Sequence, residues 1–266
     1  MRFGICASSR YWKELAEIGY DYIEMALSYL TTVDDTKLQS MLAIQKETGI
    51  RVESCNNFFP SDFKLYAIRE DGSEDVEGFR QIEENVRTYV KNAFAIASRL
   101  GVVVTVLGSS GARTIPEGVS REVAESQFLR LLRICGEIGE AYGITVTVEP
   151  LNYGETNFIN TVADGLAFVR NASHPSIRAM VDFYHHAYNN EPMEILEEAR
   201  GVLAHVHLAR IGDRTNPTLA DEAEVRTRID ALRAIGYDSR VTLECSFGEE
   251  FIPHAKDSYL LLKKFK

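Results

Sequence analysis

The sequence predicts an α/β protein, a single (β/α)8 TIM barrel, and three observations carry that prediction. Eight short apolar, β-branched runs recur along the 266 residues, separated by longer stretches of helical period. A glycine stands where a helix should end ahead of most of these runs, at Gly19, Gly49, Gly101, Gly143, Gly201 and Gly236. No low-complexity linker interrupts the alternation, so residues 1–266 read as one domain. An open doubly wound sheet is the competing arrangement, but no G-x-G-x-x-G follows the first run.

In chain order the expected strands are Phe3–Ala7, Tyr22–Leu27, Arg51–Asn57, Val102–Gly108, Thr145–Leu151, Ile177–Phe183, Leu203–Ala209 and Arg240–Phe247. The clearest helix lies at Phe79–Leu100, where Phe79, Ile82, Val86, Val90, Phe94, Ala97 and Leu100 recur at three- and four-residue spacing. Thr161 and Asp164 have the spacing of a capping box, with Asp in place of Glu. Ile18-Gly19-Tyr20-Asp21 is echoed by Ile235-Gly236-Tyr237-Asp238, each leading into a strand, as a repeated βα unit would.

Composition narrows the function classes. Lys and Arg number 29 against 39 Asp and Glu, a formal net charge of −10, which argues against nucleic-acid partners because phosphate contacts need clustered cations. No stretch approaches the roughly 18 apolar residues of a membrane span, and the first ten residues lack a leader's apolar core. The expectation is a cytoplasmic protein without a membrane partner, with a homo-oligomer left open. Cys6, Cys55, Cys135 and Cys245 are too scattered for a disulfide framework or zinc knuckle. Three of them fall in strand runs and read as reduced core thiols.

Strand parity exposes the chemistry. With period two, Thr145, Thr147 and Glu149 share one face of the fifth strand, and Arg178, Met180 and Asp182 one face of the sixth. Leu203, His205 and His207 share a face of the seventh, and Arg240, Thr242 and Glu244 of the eighth. The alternate, apolar faces must pack on helices, so these rows point into the barrel. Each row climbs to an ionisable residue at the carboxyl end, where active sites of this fold sit. Strands are about 4.8 Å apart, so Glu149, Asp182, His207 and Glu244 can meet. Three converging carboxylates would repel unless a divalent cation joined them, and oxygen-rich ligation with one imidazole favours Mn²⁺, Mg²⁺ or Co²⁺ over a closed zinc site.

A buried structural salt network is the plainer reading of the same four residues. His185 adds an imidazole above the cluster, near where a substrate oxygen would lie. His205, one layer below His207, reads as a hydrogen-bond support, with an ordinary core histidine as the alternative. His186 should point away, and His174 and His254 suit surface or capping roles. Gly108-Ser109-Ser110-Gly111-Ala112-Arg113 either presents backbone N–H groups and Arg113 to a phosphate or carboxylate, or is a solvent loop. Asn56-Asn57-Phe58-Phe59-Pro60 and Trp12 either line the mouth or pack helices.

At these segments the chain resembles the sugar phosphate isomerase/epimerase group of the xylose isomerase-like TIM-barrel superfamily. The resemblance rests on Val148-Glu149-Pro150-Leu151-Asn152, Glu155-Thr156-Asn157-Phe158-Ile159-Asn160-Thr161 and Val181-Asp182-Phe183-Tyr184-His185. His205-Val206-His207 and Leu243-Glu244-Cys245-Ser246-Phe247 complete it. By similarity to ketose 3-epimerases, it implies Glu149, Asp182, His207 and Glu244 as ligands of one divalent metal, Mn²⁺ foremost with Mg²⁺, Co²⁺ or Zn²⁺ as alternatives. It implies Glu149 and Glu244 as the acid/base pair on opposite faces of a sugar, and Glu155 and His185 as its hydrogen-bond partners. The pattern departs after His207. The related epimerases place Glu three and Arg six positions further on, whereas Arg210 and Asp213 stand there in this chain, followed by Arg214. Arg210 and Arg214 therefore join Arg113 as expected substrate contacts, and a substrate with an anionic group is expected.

The expected chemistry is removal of a proton beside a carbonyl, through an enediolate that a metal stabilises, followed by return of a proton by the second glutamate. A polyol-ketone dehydratase shares the first step, and a non-catalytic metal-dependent sugar-binding protein would share the site. A zinc nuclease is disfavoured, since no histidine precedes His174.

Overall fold

Eight parallel strands close on themselves in sequence order: β1 (Arg2–Cys6), β2 (Tyr22–Ala26), β3 (Val52–Asn56), β4 (Val104–Leu107), β5 (Thr145–Val148), β6 (Ile177–Asp182), β7 (Leu203–Leu208) and β8 (Arg240–Leu243). The computed structural model describes residues 1–266. Six of the seven crossovers carry an α-helix on the outside of the barrel, among them Val76–Leu100 and Arg121–Tyr142, and a further helix, Phe251–Leu262, follows β8. The connection from β6 to β7 instead runs through the short helix Phe183–Tyr188 and a 3-10 helix at Met193–Ala199. The eightfold α/β barrel expected from the alternation is the fold. Several strands are shorter than expected; β8 ends at Leu243, so Glu149 and Glu244 sit one residue past their strands.

Parity sorts the side chains as anticipated. Val146, Val148, Ala179, Val181, Val206, Leu208, Val241 and Leu243 face outward into one apolar core of 63 buried residues shared with the helices. Burying the valine and leucine side chains stabilises by about 1.5–3 kcal/mol each, which holds the barrel wall to its helices. Trp12 is fully buried in this core and does not line the mouth; Phe58 and Phe59 are buried as well. Thr161 and Asp164 make the expected capping box at the start of the helix Val162–Ala172.

The interior is polar and layered. At the amino end Glu53 accepts from Arg2 at 2.6 Å and from Arg240 at 2.9 Å. Above them the Tyr22 ring crosses the lumen against Gly4, where a Cβ would lie 2.2 Å from a ring carbon. The neighbouring pairs Asp182↔His207 and His207↔Thr242 then set three interior rows side by side towards the carboxyl end. None of the helices is long and apolar enough to cross a membrane. All four cysteines are free; Cys55 and Cys135 are core thiols, whereas Cys6 and Cys245 are only partly buried, beside the carboxyl-end opening, short of the core burial expected for strand cysteines.

Candidate active site

Glu149, Asp182, His207 and Glu244 converge at the carboxyl end of the barrel, each offering a ligand atom within 4.8 Å of the others. His207 Nδ1 lies 3.4 Å from Glu149 Oε1 and 3.1 Å from Glu244 Oε2. Donors that stand about 2.1 Å from a cation are about 3 Å apart when adjacent and about 4 Å when opposed, so these separations suit a shared ion. Glu149 Oε1 and His207 Nδ1 are buried without a hydrogen-bond partner, which fits metal-ligating roles. Room for the Glu149 carboxylate comes from Gly108, where a Cβ would stand 2.0 Å from Oε2. That spatial need explains this glycine better than a phosphate-binding loop does.

A residue that strand parity could have exposed orients His207. Glu24 sits mid-way along β2, in the row of Tyr22, Glu24 and Ala26, and is fully buried. Its Oε1 accepts from His207 Nε2 at 2.7 Å, and its Oε2 accepts from His205 Nε2 at 2.7 Å, from Ser54 Oγ at 2.5 Å and from Thr242 Oγ1 at 2.8 Å. His205 thus supports the layer below, as the hydrogen-bond reading anticipated. Although Glu24, His205 and His207 could themselves ring a cation, the carboxylate is already saturated by four donors, so this trio is a hydrogen-bond network. With Nε2 committed to Glu24, only Nδ1 of His207 faces the cluster.

The fields follow from this geometry. Burial opposes the charged form of Glu24, yet His207 and His205 hold its carboxyl well below the usual range. Burial likewise opposes a charged His207, but Glu244 and Glu24 push the imidazole well above its ordinary value. The two outer glutamates differ. Burial, and then the charge of Glu244, raise Glu149, whereas Glu244 is lowered despite burial by His207 and Arg214.

Around the cluster lies a cavity of about 370 Å³ lined by Asn56, Ser109, Glu149, Glu155, His185, Arg214 and Glu244 among others. His185 and Glu155 reach it as expected. Arg214 also arrives, in the left-handed region at φ 55°, with Nη2 2.6 Å from Glu244 Oε2 and 3.1 Å from Asp182 Oδ2, and Nη1 3.3 Å from Glu155. Its guanidinium lies over the Tyr184 ring, 4.9 Å from the centroid. Asn56, from the segment left open at the end of β3, donates to Glu244 Oε1 at 2.6 Å. A second hollow of about 440 Å³ shares Asn56 and Asn57 and runs over Ala7, Met25 and Tyr29.

Two expected contacts do not reach the cavity. Arg113 is completely buried, its Nη1 donating to the carbonyls of Glu149 at 2.7 Å and Leu107 at 3.2 Å. It ties β4 to β5 from behind, and burial lowers its pKa to about 10. Arg210 lies at the surface, paired with Asp213. The spacing that distinguished Arg210 from the related pattern therefore reflects a turn, closed by Arg214 N–H donating to the Arg210 carbonyl. His186 faces the Pro192 carbonyl, away from the site.

Residues 12–263 match the family model described as xylose isomerase-like TIM barrel. The chain belongs to that family. Among its relatives, 3-dehydro-D-guloside 4-epimerase of Escherichia coli (strain K12) is 25% identical over 245 residues, 88% of this chain and 85% of that one. D-psicose 3-epimerase of Ruminiclostridium cellulolyticum is 23% identical, covering 88% and 76%. 2-Oxo-tetronate isomerase of Haemophilus influenzae is 25% identical over 86% and 84%. A crystal structure of D-psicose 3-epimerase in the presence of D-fructose superposes with a TM-score of 0.81 at 18% identity, covering 99% and 98%. These family members are named as sugar epimerases and isomerases, and this member carries a candidate metal site of four donors.

Proposed function

We propose that the chain is a divalent-cation-dependent epimerase or isomerase of a small, unphosphorylated sugar or sugar-derived hydroxyketone. The observation that carries this reading is the convergence of Glu149, Asp182, His207 and Glu244 at the floor of a polar cavity. These four residues would hold the cation, Mn²⁺ foremost, and a bound divalent cation acidifies the C–H beside a carbonyl by Lewis-acid polarisation.

The remaining work falls to side chains. Glu149 and Glu244 directly follow β5 and β8, which are not neighbours in the barrel. One carboxylate removes the proton, leaving the enediolate, and the other returns a proton. Return to the same carbon from the opposite face inverts it; return to the adjacent carbon shifts the carbonyl. Asn56 holds Glu244 in place, and Glu155, His185 and Arg214 bind sugar hydroxyls. Arg214 is the one cation lining the cavity, and three carboxylates already engage it. With Arg113 and Arg210 elsewhere, no unpaired cation awaits a phosphate, which favours a neutral substrate.

The test is proton NMR in D₂O of Mg²⁺-supplied protein with pooled ketoses, ketose phosphates and keto-acids. Metal-dependent deuterium uptake beside a carbonyl of a neutral ketose is expected, abolished in Glu244→Gln. Uptake confined to phosphorylated or acidic members would overturn the neutral-substrate reading. Dehydrated products would indicate a lyase, and saturable binding without exchange a sugar-binding protein.

A further inference from the structure

The segment Leu151-Asn152-Tyr153-Gly154-Glu155 follows β5 and carries a buried amide that the catalytic reading leaves unused. Asn152 is 2% exposed, and each polar atom of its side chain is committed. Its Oδ1 accepts the Gly154 N–H at 2.9 Å. Its Nδ2 lies 2.9 Å from Glu155 Oε1 and 2.8 Å from His185 Nδ1. The orientation of the amide is not free. Turned over, its NH₂ would meet the Gly154 N–H, and its oxygen would meet the Glu155 carboxylate.

We infer that Asn152 is a positioning residue that fixes His185 as the Nε2–H tautomer, and so makes it a hydrogen-bond donor to the substrate. The NH₂ group can only donate, so His185 Nδ1 must accept, and the ring proton of the neutral imidazole resides on Nε2. Nε2 is buried, lacks a hydrogen-bond partner and lies 3.5 Å from Asp182 Oδ2, on a ring whose residue lines the cavity. A donor held there addresses a carbonyl or hydroxyl oxygen of a sugar above the carboxylate cluster. Asn152 steadies Glu155 through the same NH₂ group. One amide thus presents a donor from His185 and an acceptor from Glu155 across the same cavity, a pairing suited to adjacent sugar oxygens. The role of His185 as a sugar contact rests on the function proposed above; its tautomer does not.

The experiment reads the tautomer directly. Long-range ¹H–¹⁵N spectra of histidine-labelled, Mg²⁺-supplied protein at about pH 8 report which ring nitrogen holds the proton. His185→Gln assigns the signals. The wild-type protein without sugar should show His185 as the Nε2–H form, and a wild-type Nδ1–H form would overturn the inference without any variant. Asn152→Asp keeps an acceptor for Gly154 but presents an acceptor to Nδ1, so the proton should move to Nδ1. An unchanged tautomer in that variant would also overturn it. With a turned-over ketose, kcat/KM of Asn152→Asp should fall by about tenfold or more, the scale of one hydrogen bond lost to a buried polar group. An Nε2–H wild type that exchanges no ketose supports the positioning role while removing the epimerase reading.

Discussion

The residue that most shapes the candidate site is Glu24, which hydrogen-bonds one member of the four-donor cluster, His207. Its four donors make a buried carboxylate tolerable, and it in turn assigns Nε2 of His207 to hydrogen bonding and Nδ1 to the cluster. Glu24→Gln removes the charge and one acceptor while keeping the volume. Its affinity for Mn²⁺, measured by titration calorimetry, should fall by about 10–100-fold, the usual cost of losing such a partner. Unaltered affinity would show that ring packing alone orients His207. Glu149, Asp182, His207 and Glu244 were visible from strand parity because each ends an interior row. Glu24 was equally accessible to that reasoning as an acid inside an apolar run, but it lies on β2, mid-strand. Arg113 illustrates the opposite failure. An arginine after a glycine-rich turn looks like an anion site, and only the packing of β4 against β5 reveals that backbone carbonyls occupy it.

Among the elements, the helix Val162–Ala172 is held at its start by more than its capping box. Glu191, from the loop after the short helix Phe183–Tyr188, accepts the Val162 N–H at 2.8 Å. Burial is the main cause that raises this carboxyl from its usual 4.5 to about 7, and Asp164 adds to it. The folded state therefore keeps a proton that the unfolded chain releases, so stability declines as pH rises through the window from about 4.5 to about 7. Glu191→Gln retains an acceptor for Val162 and removes that loss. Thermal melts should show the variant level with the wild type near pH 4 and more stable near pH 8. After discounting for a half-exposed group, the gain is about 1 kcal/mol, or roughly 2–4 °C in a chain of this size. A difference independent of pH would refute this account. The loops after β4 and β7 show why element boundaries were less legible than element types. Gly108 and the Arg210–Arg214 turn are dictated by neighbours, Glu149 in one case and the Asp182, Glu155 and Glu244 carboxylates in the other.

At the scale of the whole molecule, the cluster joins strands distant in sequence. Glu149, Asp182, His207 and Glu244 span nearly a hundred residues, and Glu24 and Asn56 reach them from the other half of the barrel. A cation bound there would couple both halves and lower carboxylate repulsion only in the folded chain. With free Mn²⁺ at 100 times its Kd the linkage is about 2.7 kcal/mol. A Tm higher by about 5–10 °C in Mn²⁺ than in EDTA is expected, with little change for Glu244→Gln. Identical melting in the two conditions would argue against a specific site.

By itself the sequence determined the eightfold alternation, the inward and outward faces of the strands, and the four ionisable row ends, because period and burial are local properties that a chain carries in its order of residues. Tertiary structure alone decided which arginine reaches the cavity, that Glu24 commands both histidines, and that Asn152 faces His185. Those pairings join side chains from separate βα units, and their separations exist only once the barrel has closed.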